Sequence, residues 1–299
     1  MDWSSSIRGF KAYLQLERSL SENSITAYIS DIQNFRDFII EHQSDPTQVS
    51  EQDIETFIQS ISLAGKAAGS QARMLSGIKA FYKYLLIENI ISTSPTELIE
   101  GPKVQRKLPD VLSYDEITLI IDGIDLSKPE GARNKAIIET LYGCGLRVSE
   151  LVELKISDLH FHEGFIRVTG KGDKQRLVPI GDSAIKYINI YKKEIRVHQR
   201  IQPGFEDMLF LNNRGKSLSR NMIFMIIKKL TEISGIQKKV SPHTFRHSFA
   251  THLIEGGANL RAVQDMLGHE SITTTEIYTH VNTDFLRETL LLYHPGNRN

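Results

Sequence analysis

The most informative part of the sequence consists of Ser241-Pro-His-Thr-Phe-Arg-His-Ser-Phe-Ala250, Leu267-Gly-His-Glu-Ser271 and Glu276-Ile-Tyr-Thr-His-Val281. These segments combine histidines, an arginine and a tyrosine with residues that have the spacing of short packed helices. Polar and ionisable side chains are seldom packed inside a protein unless they have a partner or a ligand. They are therefore candidates for a functional site.

The first segment predicts a helix with two different faces. Ser241 suits an N-cap, and the helix should end at the Gly256-Gly257 pair. His243 and Arg246 are three residues apart and share one face. An apolar stripe at a spacing of four is formed by Phe245, Phe249 and Leu253. The polar pair can thus face a ligand while the stripe faces the core.

Two more short helices are predicted downstream. One runs over residues 259–267 and ends at Gly268, which places His269 just past a helix C-terminus. Ser271 would cap the next helix, which would carry Tyr278. The polar residues are therefore distributed over three successive helical segments.

This set of residue types, an arginine, two histidines and a tyrosine, indicates an anionic substrate. A tyrosine oxygen can attack phosphorus and form a phosphotyrosine ester, while cations stabilise the charge that builds on the non-bridging oxygens. Arginine suits that task because its planar guanidinium can bind two phosphate oxygens. More than one cation is needed, and two upstream segments supply them.

The first upstream segment, Gly143-Cys-Gly-Leu-Arg-Val-Ser-Glu-Leu151, places Arg147 between a helix that ends in glycine and the start of the next helix. The second, Val168-Thr-Gly-Lys-Gly-Asp-Lys-Gln-Arg-Leu-Val-Pro179, predicts a β-hairpin with Lys171 in its turn. Glycines let the backbone turn sharply there, so Lys171 could reach a phosphate as a flexible proton donor.

Six of these residues, in this order and spacing, resemble the signature of the tyrosine recombinases, also called phage-integrase-type site-specific recombinases. The six are Arg147, Lys171, His243, Arg246, His269 and Tyr278. Leu267–Val281 is especially similar to the XerC/XerD branch of that family, and Leu16–Ser24 is similar to the N-terminal domain of the branch. The resemblance extends over nearly the whole chain.

The resemblance implies a chemical role for each residue. Tyr278 would attack a DNA phosphate, which leaves a 3′-phosphotyrosine link and a free 5′-hydroxyl. Arg147 and Arg246 would bind the non-bridging oxygens, and Lys171 would protonate the leaving 5′-oxygen. Because the two arginines would replace a metal ion, we expect neither a metal nor ATP nor any other cofactor.

The remaining site residues have supporting roles in the same scheme. His243 would accept a proton or bind the phosphate, His269 would donate a hydrogen bond to it, and Glu150 would orient a catalytic group. Further candidates for DNA contacts are Arg73, Lys79, Lys83, Lys174 and Arg176. A single arginine is most often part of a surface ion pair. The catalytic interpretation depends on all six motif residues occurring together in order.

Zinc is a competing interpretation of His243 and His247, which are four residues apart. The sequence has no cysteine pair and no glutamate beside His243, so this interpretation is disfavoured.

The chain of 299 residues is long enough for two domains. We predict a mainly α protein with a small β-sheet: a four-helix bundle over residues 1–100, a linker over 101–112 and a mixed domain over 113–299. The resemblance makes the bundle a SAM-like core-binding domain that clamps DNA, and the second part an α+β catalytic domain. It also implies that the last helix, predicted over residues 284–293, docks into a neighbouring subunit.

Charge is distributed unevenly although the formal net charge is zero. The first 100 residues have 8 Lys and Arg against 13 Asp and Glu, and the rest have 28 against 23. A DNA-binding surface is therefore expected mainly in the C-terminal part. The sequence shows no membrane-length apolar run and no signal peptide, so a cytoplasmic location is expected. Cys144 is the single cysteine, which excludes an internal disulfide.

The resemblance implies resolution of chromosome dimers at a dif-like DNA site during cell division. The partners would be double-stranded DNA, a XerC-like sister recombinase in a cyclic tetramer and an FtsK-type DNA translocase. Three alternatives stay open: an integrase or invertase of a mobile element or phase-variation locus, a type IB topoisomerase, and a DNA-binding regulator without catalysis. The regulator is disfavoured because binding alone does not require Tyr278.

Overall fold

The computed structural model describes residues 2–41, 45–103, 110–268 and 280–297, with the backbone alone for Lys171 and for residues 280–282. This part of the chain is mainly helical with one small sheet, as the sequence predicts. It divides into two compact units, Met1–Lys107 and Leu108–Asn299. No helix within the described ranges has the length and apolar character needed to cross a membrane.

The first unit contains the four predicted helices, and side-chain caps mark where three of them begin. The helices are α1 (Trp3–Leu16), α2 (Glu22–Ile39), α3 (Glu51–Leu63) and α4 (Ala68–Ile87). Asp2 and Ser21 accept hydrogen bonds from backbone N–H groups in the first turns of α1 and α2. Ser50 and Asp53 form a reciprocal capping box at α3. These caps satisfy N–H groups that a helix leaves unpaired at its start.

Aromatic rings form the core of this unit. Trp3 stacks on Phe81 at 5.8 Å between ring centroids and meets Phe35 edge-on at 5.9 Å. Phe10 meets Phe81 edge-on at 5.4 Å. Phe81 therefore joins α4 to α1, and such ring pairs contribute beyond the area they bury.

The second unit contains eight α-helices and one antiparallel sheet among the described residues. The helices are α5 (Tyr114–Asp122), α6 (Gly131–Cys144), α7 (Val148–Val152), α8 (Asp182–Ile190), α9 (Arg220–Ile233), α10 (Pro242–Gly256), α11 (Leu260–Leu267) and α12 (His280–Tyr293). The strands, in the order β1-β2-β3, are β1 (Leu159–His160), β2 (Phe165–Thr169) and β3 (Gln175–Pro179). The sequence Ser113-Tyr-Asp-Glu116 predicts a capping box, and the structure has one at the start of α5, with Ser113 and Glu116 as the partners.

The predicted hairpin is formed by β2 and β3, with Phe165 opposite Pro179 and Val168 opposite Arg176. Its turn is closed by the Gly170 N–H, which donates to the Lys174 carbonyl at 2.8 Å. Alternate residues of a strand point to opposite faces, so Arg176 and Val178 point inward together. The two-residue strand β1 was not predicted.

Helix α10 packs on α6 as the two-faced pattern requires. The stripe of Phe245, Phe249 and Leu253 is fully buried. Gly145, with φ of +58°, ends α6 where any side chain would collide with the Phe249 ring. Glycine at this position therefore brings the backbone after α6 directly against α10.

Two helix boundaries that the sequence predicts are wrong: a single long helix from Ser183 to about His198, and a last helix that is capped by Thr283. The helix predicted over residues 183–198 ends as α8 at Ile190 and continues as a π-helical turn, Tyr191–Ile195, and a 3-10 turn, Arg196–His198. The cause is tertiary: the buried Tyr191 ring stacks on Phe210 at 5.8 Å, and its hydroxyl accepts from the Leu211 N–H at 3.2 Å. Helix α12 begins at His280, so Thr283 is buried inside the helix instead of capping it.

Helix α12 packs against β3, α10 and α11 of its own chain. Beyond it, the buried ring of His294 lies 4.6 Å from the Tyr142 ring and 5.6 Å from the Phe249 ring, measured between centroids. Its Nδ1 accepts from the Gly296 N–H at 3.2 Å, and burial lowers its pKa to about 3. The C-terminal segment thus contributes a neutral histidine to its own core, and subunit exchange of α12 stays a prediction.

We expect Phe81→Ala to lower the free energy of unfolding by about 3–5 kcal/mol, because deleting a fully buried ring leaves a cavity. Trp3 is the single tryptophan of the chain and stacks on Phe81, so its fluorescence in urea follows the first unit. Leu63→Ala is the control, because Leu63 is 90% exposed. The control should change the value by less than about 0.5 kcal/mol. An unchanged midpoint for Phe81→Ala would contradict the packing.

Candidate active site

The candidate site is built around the buried carboxylate of Glu150 in helix α7. Arg147 is the N-cap residue of that helix, and its backbone N–H donates to Glu150 Oε2 at 2.8 Å. The Arg147 side chain also returns to the carboxylate, with Nη1 donating to Oε1 at 2.9 Å. One short helix therefore fixes an arginine against a buried acid through its own cap.

A second arginine, Arg176, reaches the same carboxylate from strand β3. Its Nη1 and Nη2 donate to the two oxygens of Glu150 at 2.7 and 3.0 Å, and its Nε donates to the Met266 carbonyl at 3.0 Å. The side chains of Arg176 and Glu150 are only 8% and 1% exposed. Arginine can form such a buried bidentate salt bridge with a carboxylate, whereas lysine cannot.

Arg246 enters from helix α10 and completes the group. Its Nη1 donates to the Gly145 carbonyl at 2.8 Å and its Nη2 to the Leu267 carbonyl at 2.6 Å. Nη1 also lies 3.8 Å from Glu150 Oε2. Arg147 Nη2 donates to the carbonyl of Gly268, the next residue, at 3.1 Å. The two arginines are therefore held side by side at the end of α11.

Three guanidinium groups around one carboxylate leave a net positive charge. Burial pushes the pKa of Glu150 upward, but the hydrogen bonds and charges of Arg176 and Arg147 hold that pKa below its ordinary value. Burial and then the neighbouring charge of Arg147 lower the pKa of Arg246 to about 10. Glu150 and Arg246 are thus both ionised at neutral pH. Three guanidinium groups around one carboxylate give an excess of positive charge, which favours an anionic ligand.

His243 lies one helical turn before Arg246 on α10, with its side chain exposed. Both residues line a cleft of about 580 Å³ between α10 and α11, together with Lys239 and His247. The structure thus brings His243 and Arg246 to one open surface, as their spacing predicts.

The tip of the β2–β3 hairpin approaches the arginine group. Lys171 begins the 3-10 turn Lys171–Asp173. A methyl group placed on Gly170, the preceding residue, would lie 3.7 Å from Arg176 Nη1 and 3.8 Å from Glu150 Oε1. The backbone that carries Lys171 therefore runs beside the buried ion pair.

Two of the six predicted catalytic residues, His269 and Tyr278, lie outside the described residues. His269 directly follows Gly268, whose carbonyl accepts from Arg147. Within the described ranges no three His, Cys, Asp or Glu side chains are grouped in a way that could hold a metal ion.

The five residues predicted to contact DNA are placed differently from one another. Lys83 and Lys174 are exposed. Arg73 pairs with the buried carboxylate of Asp31, and Lys79 Nζ donates to the Ile99 carbonyl at 2.6 Å.

The structure disfavours the predicted contact of Arg176 with DNA, because its guanidinium is buried against Glu150 and Met266. The sequence contains an indication of this burial. Arg176 is two residues before Val178 in the same strand, so the alternation of a strand places both side chains on the inward face.

Comparisons with known proteins show the family to which the chain belongs. Residues 110–284 match the phage integrase family, and residues 7–89 match its N-terminal SAM-like domain. The tyrosine recombinase XerD of Oceanobacillus iheyensis is 43% identical over 291 residues, covering 97% of this chain and 98% of that protein. XerD of Chlorobaculum tepidum is 42% identical, covering 98% and 97%. The crystal structure of XerA recombinase is 32% identical with a TM-score of 0.51, covering 98% and 99%.

We expect Glu150→Gln to lower the free energy of unfolding at neutral pH by about 3–5 kcal/mol, because it leaves buried arginines without their counter-charge. The pKa of Glu150 is depressed below its ordinary 4.5 in the folded state. Its contribution is therefore complete above that value and is lost as the pH falls through the folded-state pKa. Urea denaturation at about pH 7, 5 and 3 should show the difference from wild type shrinking only at the lowest pH.

Glu163→Gln serves as the control, because Glu163 is exposed. It should leave stability close to that of the wild type at each pH. A Glu150→Gln difference that stays constant down to the lowest pH would contradict the role of the ionised carboxylate.

Proposed function

The chain belongs to the phage integrase family, and we propose on that premise that Tyr278 is the nucleophile with which it cuts and rejoins DNA. The motifs predict likeness to the Xer branch, and within it the final His294-Pro295 pair favours XerD. Relatives more than 40% identical over nearly the whole chain confirm this likeness. The chain is a tyrosine-type site-specific DNA recombinase. Its reaction therefore requires a nucleophile, a group that binds the phosphate and a proton donor for the leaving oxygen.

The arginine group around Glu150 is the observation that supports the proposal most strongly. Hydrogen bonds to described residues use two N–H groups of Arg147 and two of Arg246. Each guanidinium has five such donors, so donors remain for the non-bridging oxygens of a phosphate. Arg147 is also 36% exposed, which gives a DNA backbone access to this positive charge.

In the proposed reaction the Tyr278 oxygen attacks phosphorus and forms a new P–O bond while the bond from phosphorus to the 5′-oxygen breaks. The tyrosine proton passes to His243, and the 5′-oxygen takes a proton from Lys171. His269 donates a hydrogen bond to a non-bridging oxygen. Attack by the released 5′-hydroxyl of a second strand reverses these steps, so the phosphotyrosine ester conserves the bond energy for rejoining.

We infer that the substrate is a dif-like DNA site and that the reaction resolves chromosome dimers in the cytoplasm during cell division. One solved relative in fold is XerH bound to a palindromic difH substrate, with a TM-score of 0.71, 24% identity and coverage of 92% of this chain and 81% of that one. The proposed partners are double-stranded DNA, a XerC-like sister recombinase in a cyclic tetramer, and an FtsK-type translocase. The proposed residue roles require no metal and no nucleotide.

The decisive experiment uses a nicked suicide duplex that carries the candidate chromosomal site, with the sister recombinase present and a chelator added. We expect wild type to form a covalent band between this chain and the DNA on a denaturing gel, distinguished by its mass from any band of the sister recombinase. Tyr278→Phe should form no band of that mass while binding the duplex normally. The control is Tyr293→Phe, another tyrosine of the C-terminal region, which should keep the band.

Two outcomes would contradict the proposal. Loss of the wild-type band on chelation would overturn the role given to the arginines. Tight binding without any covalent band would favour a regulator that has lost catalysis.

A further inference from the structure

One side chain contacts several elements of the proposed site although the proposed chemistry gives it no role. Arg176 lies in β3, five residues after Lys171, and its two-pronged pair with Glu150 connects the hairpin to α7. Its bond to the Met266 carbonyl connects the hairpin to α11. The hairpin is thereby attached to the same two helices that hold Arg147.

The backbone around this side chain leaves it little freedom. A methyl group placed on Gly268 would lie 3.0 Å from both Cδ and Nε of Arg176, and one placed on Gly170 would lie 3.7 Å from its Nη1. These glycines directly precede His269 and Lys171. The Arg176 side chain is therefore packed between the backbone at Gly170 and the backbone at Gly268. In the chain, Gly170 precedes the proposed proton donor Lys171, and Gly268 precedes the proposed phosphate ligand His269.

A buried arginine can also be merely structural, and this domain contains an example. Arg196 is also 8% exposed and donates to the carbonyls of Glu206 and Met208. Arg176 differs because its partner is the carboxylate that also fixes Arg147. Since Arg176 takes both oxygens of Glu150, it also leaves more of the charge of Arg147 and Arg246 for a phosphate.

We propose that Arg176 is a positioning residue that fixes the Lys171 hairpin against the Arg147 and Arg246 pair. This inference rests on the proposed function. With Arg176 in place, the group that protonates the leaving oxygen and the groups that bind the non-bridging oxygens meet the same phosphate. Lysine cannot substitute, because one ammonium cannot span both Glu150 oxygens and the Met266 carbonyl in a fixed plane.

The test separates positioning of the proton donor from every other effect by changing the leaving group. The suicide duplex is made with either the normal 5′-oxygen or a bridging 5′-sulfur at the cleaved phosphate. When the P–S bond breaks, the thiolate leaves without needing a proton, so a misplaced Lys171 matters little. Rates of covalent complex formation are measured in single turnovers with both duplexes.

We expect Arg176→Lys to slow cleavage of the oxygen duplex by about 10- to 100-fold, a share of what a positioned general acid contributes. On the sulfur duplex the loss should be less than about threefold, because no proton is needed there. Lys171→Met gives the rate of covalent complex formation when the proton donor is absent. It should also be slow on the oxygen duplex and close to wild type on the sulfur duplex. Arg147→Ala should be slow on both duplexes.

The matched control is Arg196→Lys, the same substitution at an equally buried arginine outside the site. It should cleave both duplexes at rates close to wild type, even if its melting temperature falls. If Arg176→Lys is poorly folded, Arg176→Gln provides a second variant, because its amide can still donate to Glu150. Thermal melts and binding of the duplex show which variants are folded.

The outcomes distinguish this inference from its premise. If wild type forms no covalent band on either duplex, the proposed function fails and the inference fails with it. If wild type reacts but Arg176→Lys behaves like Arg196→Lys, or slows equally on both duplexes, the inference alone is overturned.

Discussion

The buried carboxylate of Glu150 is the constraint on which the catalytic unit depends. Removing such a charge from water costs several kcal/mol, and only well-placed partners compensate for it. Here the partners come from its own helix, from β3 and from α10, which are distant in sequence and adjacent only in the folded chain. A shift of any one element would leave either the acid or a guanidinium unpaired. The geometry of the site is therefore tied to the stability of the domain.

This arrangement also explains why the site has a net positive charge, since its single carboxylate does not neutralise the three arginines around it. The single carboxylate of Glu150 balances the charge of one of the three guanidinium groups. Each guanidinium also donates to at least one backbone carbonyl, and these carbonyls belong to Gly145, Met266, Leu267 and Gly268. Backbone carbonyls orient arginines through their dipoles but cancel no full charge. A phosphate would supply the missing charge, so the folded protein maintains in advance the positive field that a phosphoryl-transfer transition state requires.

Much of the fold could be predicted because its signals are local. Ser113 with Glu116, and Ser241 with the stripe through Phe249, each specify a helix start or a buried face within a few residues. The features that the sequence did not predict correctly depend on contacts with residues that are distant in the sequence. The π-helical turn after α8 follows from Tyr191 packing on Phe210, and the burial of Arg176 follows from Glu150, which is 26 residues away. Residue type and spacing indicated the chemistry of the site, whereas the choice between a surface and a buried arginine required the tertiary contacts.

The first unit shows why a count of cations is a poor guide to DNA affinity. Arg73 is 55% exposed but its charge is balanced by Asp31, a carboxylate so buried that its pKa is raised despite that partner. Lys79 is turned toward the Ile99 carbonyl, whereas Lys83 is exposed. Affinity gained by releasing counterions scales with the charge that reaches phosphates. We therefore expect the acidic first unit to contribute less to the salt-dependent attraction of DNA than the second unit, where three guanidinium groups converge on one carboxylate.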